Sequence, residues 1–302
     1  MDLKSKIILI YGPTASGKSQ FAVKLAKKIN GEIINADSMQ VYKELKILSA
    51  RPFQRDYQKI KHHLYGFLSV KKKFSTGDWL KLVNQKIIDI KRRKKVPILV
   101  GGTGLYFKVL TQGLVNIPNI PNKFREKIRS LHKTLGSKKF YLNLVKIDPL
   151  VKLHINPSDT QRTIRAYEIK IFTNKSMYEW IKNTKSNYEK KDFYKIYIDF
   201  PRNKLLEKIN LRVKEMLKKG AIQEVKRFIK LRVPKNKSAS KAIGINEVKD
   251  FINKKTQIDE VIDRISIKTR QYAKRQSTWG RSNMLDWNKI KPNNLSKFIK
   301  KI

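Results

Sequence analysis

The chain has 302 residues, 40% of them hydrophobic, enough for one large or two moderate globular domains and too apolar for a wholly disordered chain. Its 69 lysines and arginines stand against 24 carboxylates, a formal charge of +45, and a field that positive suits a polyanionic partner, nucleic acid first. Cysteine is absent, which excludes a disulfide scaffold, a cysteine-ligated zinc site and a thiol nucleophile, and fits a reducing cytoplasm.

In chain order, Ile7–Tyr11 is a short, continuous apolar run ended by Gly12 and Pro13, the pattern of a buried parallel strand. The run is too short for a signal peptide, and no stretch reaches the roughly 18 apolar residues of a membrane helix. A cytoplasmic protein with no membrane partner is expected. Helical spacing follows over Gln20–Ile29, then a second short strand at Glu32–Asn35. Trp79–Ile90 reads as an amphipathic helix and Val96–Gly102 as another buried strand. Alternating strands and helices predict an α/β fold with a parallel sheet.

Breakers in "NIPNIPN", Asn116–Asn122, mark a boundary. From there to about Lys191 the periodicity is mostly helical. Phe193–Pro201 is strand-like again, Lys204–Leu231 is helical with a break at Gly220, and Thr256–Thr278 is a long helix. Thr256 with Asp259 predicts a capping box at its start. The expected division is a core in two parts, 1–117 and 193–302, around a helical insertion at 118–192.

"GPTASGKS", Gly12–Ser19, has the spacing of a phosphate-cradling loop between a strand and a helix. Gly12, Pro13, Thr14, Ala15, Ser16, Gly17, Lys18 and Ser19 would form the cradle, with backbone N–H groups of every residue but Pro13 available to phosphate oxygens. Lys18 would neutralise charge and Ser19 would ligate Mg²⁺. This is also an ATP-binding motif, and the loop alone does not choose between ATP and another diphosphate. Asp37, just past the second strand, either binds a metal or accepts a proton, or it caps the next segment. Thr103 in "GGTGLY" lies either beside a ligand or in a tight strand-to-helix turn. Asp159, Arg162 and Arg165 share one helical face, as phosphate contacts or as a solvated ion-paired surface. In "KTRQYAKRQSTWGR", basic residues alternate with Tyr272 and Trp279, a pattern that serves RNA binding or ordinary packing. No clear apolar strand ends in a second nucleotide-site carboxylate; Asp199 in "YIDF" is nearest, which weakens an ATPase reading.

Taken in order, "GPTASGKS", "NADSMQVYKEL", "HHL", "VGGTGLYFKVL", "PSDTQRTIRAYEI", "AIGINE" and "TRQYAKRQSTWGR" resemble the bacterial tRNA dimethylallyltransferases. The resemblance spans residues 12 to 281. It implies a P-loop NTPase-like core with a helical insertion, and a monomeric enzyme using Mg²⁺ and no ATP hydrolysis. The implied reaction moves a dimethylallyl group from dimethylallyl diphosphate to N6 of the adenosine immediately 3′ of the anticodon, in tRNAs reading codons that begin with U. The implied catalytic residues are Asp37, Thr103 and Lys18, with Gly12–Ser19 holding the diphosphate. The implied contacts to the tRNA anticodon stem-loop are Asp37, Ser38, Met39, Gln40, Thr103, Arg125, Gln161, Arg162, Thr163, Ile164, Arg165, Arg270, Lys274 and Arg275. This chain departs from the family pattern at Ile47–Pro52, where "ILSARP" replaces "IGTAKP". It departs again at Gly244–Glu247, where an aromatic is lost, and at Gly280. A free-adenylate prenyltransferase or kinase, and an RNA-binding protein with an idle loop, are the competing readings.

Overall fold

The structure is a computed structural model in which residues 3–182 and 184–302 are described. They form two compact units, 1–111 with 188–302, and 112–187.

The first unit is built on a parallel sheet. Its strands are β1 (Ile7–Tyr11), β2 (Gly31–Asn35), β3 (His62–His63), β4 (Val96–Gly101), β5 (Phe193–Ile198) and β6 (Asn288–Ile290), in the order β3-β2-β4-β1-β5-β6. β1 lies between β4 and β5, with Leu9 opposite Leu99 and Lys195. Both faces of β1 are buried, which explains its unbroken apolar run. Ile8 and Ile10 pack with Phe21, Leu25 and Ile29 of α1 (Lys18–Ile29) on one face. Ile7, Leu9 and Tyr11 pack on the other with α2 (Thr76–Arg92) and α3 (Gly104–Gln112). Ser75 caps α2 by accepting from the Asp78 N–H at 3.1 Å, while Asp78 accepts from the Ser75 N–H at 2.8 Å. β3 and β6 are too short to announce themselves in the sequence.

The second unit is helical, with α4 (Asn122–Ile147), α5 (Thr160–Thr173) and α6 (Met177–Lys182). Gly136, at φ 72°, kinks α4. Tyr141, Leu144, Val151, Ile155 and Ala166 form its small core.

The chain returns to the sheet at β5 and then adds α7 (Arg202–Lys218), α8 (Ala221–Lys230), α9 (Ile245–Ile252), α10 (Ile258–Asn283) and α11 (Leu295–Lys301). α11 packs Phe298 on Phe21 of α1, 5.9 Å between ring centroids. α7 to α10 share a separate core with Val41, Tyr42, Leu45 and Leu48 from the segment after β2. The break at Gly220 falls between α7 and α8, where the glycine takes φ 97°. The predicted capping box of α10 is not formed. The helix begins at Ile258 after Gln257, without a side-chain cap, and the Thr256 hydroxyl is buried without a partner. Thr256 lies one position too early to reach the first free N–H groups.

Candidate active site

The strand ends of a parallel sheet leave a crevice where the following loops diverge, and the loops after β1, β2 and β4 meet there. After β1 the chain turns through Ala15 (φ 63°) and Gly17 (φ 81°) into α1. These left-handed residues curl the loop so that successive N–H groups converge, a cradle for an anion at the start of a helix. The Ser16 hydroxyl is buried there without a hydrogen-bond partner among the described residues. Lys18 donates to the Pro13 carbonyl at 3.2 Å. Its burial pushes the ammonium pKa down to about 8, with Arg212 adding to the fall and Asp37 opposing it. A buried cation held this way gains most from an incoming phosphate.

The loop after β2 is fixed by Asn35, which is fully buried. Its Nδ2 donates to the Asp37 carbonyl at 2.9 Å and the Leu64 carbonyl at 3.0 Å, and its Oδ1 accepts from the Asp37 N–H at 2.9 Å. Trp79 reinforces this turn, its indole donating to the Asn35 carbonyl at 3.0 Å while its ring stacks on Tyr106 at 4.1 Å. Asp37 Oδ1 accepts from the Met39 N–H at 2.9 Å. Asp37 therefore does brace its own turn, and Oδ2 forms no hydrogen bond among the described residues. Thr103 Oγ1, after β4, accepts from the Ser38 N–H at 3.0 Å and donates to Ser38 Oγ at 3.3 Å.

The glycines flanking Thr103 make room for protein rather than ligand. A Cβ on Gly101 would lie 1.9 Å from the Ala36 carbonyl oxygen, and one on Gly104 would lie 2.2 Å from the Trp279 ring. Trp279 belongs to α10, so the turn is tight because a helix lies on it.

α7 and α10 supply the opposite wall. Arg212, on α7, donates from Nη1 to Thr14 Oγ1 at 2.9 Å. Burial lowers the pKa of its guanidinium, and nearby Asp37 opposes the fall. Gln276, on α10, accepts from the Thr14 N–H at 2.8 Å and donates to the Gly102 carbonyl at 2.9 Å. Its own backbone carbonyl accepts from the Tyr11 hydroxyl at 2.7 Å. One side chain thus clips the loop after β1 to the loop after β4. Tyr272 lies one turn earlier on α10 and lines the same crevice, and burial drives its pKa up.

These elements enclose a cavity of about 740 Å³. Thr14, Gly17, Lys18, Ser19, Asp37 and Arg212 are among its polar lining residues. Met39, Leu48, Val213, Met216, Ile243 and Ile265 supply apolar wall. A phosphate cradle and a carboxylate in one partly apolar chamber suit transfer of a hydrocarbon from a diphosphate to a nucleophile.

Gly12–Ser19, Asp37, Ser38, Met39, Gln40 and Thr103 thus stand in one unit with Arg270, Lys274 and Arg275. Arg275 lines the cavity and its guanidinium lies 5.8 Å from the Tyr272 ring. Lys274 is exposed, and Arg270 donates to the Ser266 carbonyl at 3.3 Å. Arg125, Gln161, Arg162, Thr163, Ile164 and Arg165 are in the other unit. There Asp159 is the N-cap of α5, accepting from the Arg162 N–H at 3.1 Å. Arg165 and Arg125 both face the buried Glu168, at 3.1 and 3.9 Å. Thr163 is buried and donates to the Asp159 carbonyl at 2.9 Å.

Arg212 and Gln276 were not singled out by sequence reading. Their signal was present: each is a polar residue on an otherwise apolar stripe, Arg212 among Ile209, Val213 and Met216, and Gln276 between Ala273 and Gly280. Arg51, in the divergent "ILSARP", donates to the Tyr42 and Lys43 carbonyls at 3.0 and 3.2 Å and lies tight against Gly66.

Comparison with known proteins decides the family. A profile described as "IPP transferase" matches residues 40–283. The chain belongs to the IPP transferase family. It is 59% identical over 302 residues to the tRNA dimethylallyltransferase of Pelagibacter ubique, covering all of this chain and 96% of that one. It is 44% identical over 284 residues to the tRNA dimethylallyltransferase of Rickettsia massiliae, covering 94% and 78%. Among solved structures, the full-length tRNA isopentenylpyrophosphate transferase of Bacillus halodurans is 30% identical with a TM-score of 0.70, covering 98% and 95%. A eukaryotic dimethylallyltransferase acting on tRNA is 29% identical with a TM-score of 0.83, covering 97% of this chain and 75% of that one. The α/β core is that of this family, with its P-loop NTPase-like sheet. No helix among the described residues is long and apolar enough to cross a membrane.

Proposed function

We propose that this IPP transferase family member transfers a dimethylallyl group from dimethylallyl diphosphate to N6 of the adenosine immediately 3′ of the anticodon, in tRNAs reading codons that begin with U. The observation that carries this reading is the shared cavity, lined by the anion cradle, by Asp37 and by apolar side chains. In the reaction the allylic carbon–oxygen bond breaks, a carbon–N6 bond forms, diphosphate leaves, and the N6 proton is lost.

The loop Gly12–Ser19 binds the diphosphate through the backbone N–H groups of its Gly17–Ser19 end, those of Thr14 and Ser16 being bonded within the protein, and Lys18 and Arg212 offset the charge that grows on the leaving group. The free Oδ2 of Asp37 holds the adenine amine and takes its proton, while Oδ1 stays on the Met39 N–H. Thr103 keeps Ser38, and with it the acceptor loop, in place. The apolar wall receives the prenyl chain and excludes water, which would otherwise capture the allylic group. Mg²⁺ fits this donor set: Ser19 lines the cavity at the end of the cradle, and a hard ion of this kind takes one or two protein oxygens and completes its shell from phosphate and water. When bound it would neutralise the departing diphosphate. The adenosine must leave the anticodon-loop stack to reach Asp37. Ser38, Met39 and Gln40 seat it; Arg125, Gln161, Arg162, Ile164 and Arg165 of the helical unit grip the loop, with buried Thr163 holding the start of α5, and Arg270, Lys274 and Arg275 grip the stem. The enzyme acts as a monomer.

Asp37→Ala tests the assignment by splitting binding from rate. Single-turnover transfer is expected to fall roughly 10²–10⁴-fold, with tRNA affinity within about threefold of wild type. Parallel losses of affinity and rate would make Asp37 a binding contact and remove it from the chemistry.

A further inference from the structure

Beside the reaction cavity lies a second, smaller one of about 360 Å³, lined by Lys46, Phe53, Gln54, Arg55 and Lys219. Lys46, Phe53 and Lys219 also line the first, so the two are neighbours. Three of its five lining residues are cations and none is acidic. The Phe53 ring gathers two of them, with Lys46 Nζ 4.4 Å and Arg55 Cζ 5.4 Å from its centroid. Neither makes an ion pair with a carboxylate among the described residues, while Lys219 reaches only the exposed Glu215, at 3.2 Å.

The cleft is held open by the fold. Buried Glu224 accepts from the Lys46, Ile47 and Leu48 N–H groups at 2.9, 2.8 and 2.9 Å, which fixes the strand of chain that carries Lys46. Asp56 accepts from the Phe53 N–H at 2.8 Å and closes the short turn that carries Arg55. Like charges brought together on a fixed scaffold repel one another until an anion arrives, so the arrangement favours an anionic ligand. Lys219 follows the last residue of α7, seven residues beyond Arg212, about 10 Å along the helix axis.

We propose that Lys46, Arg55 and Lys219, organised by Phe53, bind backbone phosphate of the RNA strand next to the acceptor nucleotide. The inference rests on the tRNA reading above. Phe53 is a positioning residue and the three cations are the contacts.

The test is binding of an anticodon stem-loop RNA over a range of salt concentrations, with dimethylallyl diphosphate binding measured in parallel. The triple variant Lys46→Ala/Arg55→Ala/Lys219→Ala is compared with Lys27→Ala/Lys28→Ala, which removes exposed cations from the far end of α1. RNA affinity of the triple variant is expected to fall roughly tenfold or more, and its log–log salt slope to shrink by about 1–2. Diphosphate affinity should stay within about twofold, and the α1 variant should match wild type. Phe53→Leu should weaken RNA binding about threefold through loss of the ring, and Phe53→Tyr should restore it. An unchanged salt slope in the triple variant, or a loss of diphosphate affinity with RNA binding intact, overturns this site alone. Wild-type protein that binds no RNA overturns the tRNA reading and the site with it.

Discussion

The two walls of the cavity are built in opposite ways. The near wall, Gly12–Ser19 and Asn35–Gln40, comes from short loops directly after β1 and β2, and its geometry is made by backbone. The far wall comes from single side chains on α7 and α10, some two hundred residues later in the chain. A backbone cradle needs glycine and a left-handed turn, so it leaves a spaced motif in the sequence. A side chain delivered by a helix needs only one polar residue on an apolar stripe, and it leaves almost no local trace. The difference teaches that the anion site is local in the chain, whereas its alignment with the acceptor depends on distant helices.

Lys18→Ala breaks the near wall. Diphosphate affinity and transfer rate should fall together, the rate by roughly 10²–10³-fold. The same residue gives a pH signature. With an ammonium pKa of about 8 in the free protein, the cation is present below pH 8 and lost above it. Relative to the alanine variant, wild-type affinity for the diphosphate should therefore be level below pH 8 and decline as pH rises past it. A difference that stays constant from pH 7 to pH 10 would contradict the assigned role of the ammonium.

Arg212→Ala breaks the far wall with the loop sequence intact. Transfer is expected to slow by roughly 10–10²-fold, as for one lost charge-stabilising donor. Arg212→Lys should recover only part of this, because an ammonium lacks the forked geometry that lets Nη1 hold Thr14 while the rest faces the ligand. Full activity in the alanine variant would make the cradle self-sufficient.

Gln276→Glu sharpens the comparison with the smallest effect. A carboxylate can still accept from the Thr14 N–H but cannot donate to the Gly102 carbonyl. The clip is half lost, so the rate should drop about tenfold or less with diphosphate affinity nearly kept. Gln276→Met should lose more. Equal effects on affinity and rate would place Gln276 in binding rather than in alignment.

Much of the near half was legible in the sequence. The apolar runs of β1 and β4 and the spacing of "GPTASGKS" carried the sheet and the cradle, and Asp37 fell where a strand end faces a crevice. The glycines of "GGTG" were legible as glycines but not as to cause. Only the structure shows Ala36 and Trp279 pressing on them. Arg212, Gln276 and Glu224 were hidden because their partners lie far away in the chain. A two-residue strand such as β3 has no periodicity to read. Thr256 shows the opposite error: a capping signature was present one residue before the N-cap, Gln257.

The most direct measurement is prenyl transfer itself. Purified protein, Mg²⁺ and labelled dimethylallyl diphosphate are incubated with unmodified tRNA carrying adenosine 3′ of the anticodon, with the same tRNA bearing guanosine there, and with AMP. The account predicts label on the first tRNA alone, recovered as an N6-prenylated adenosine. Label on AMP, or on the guanosine tRNA, would contradict it.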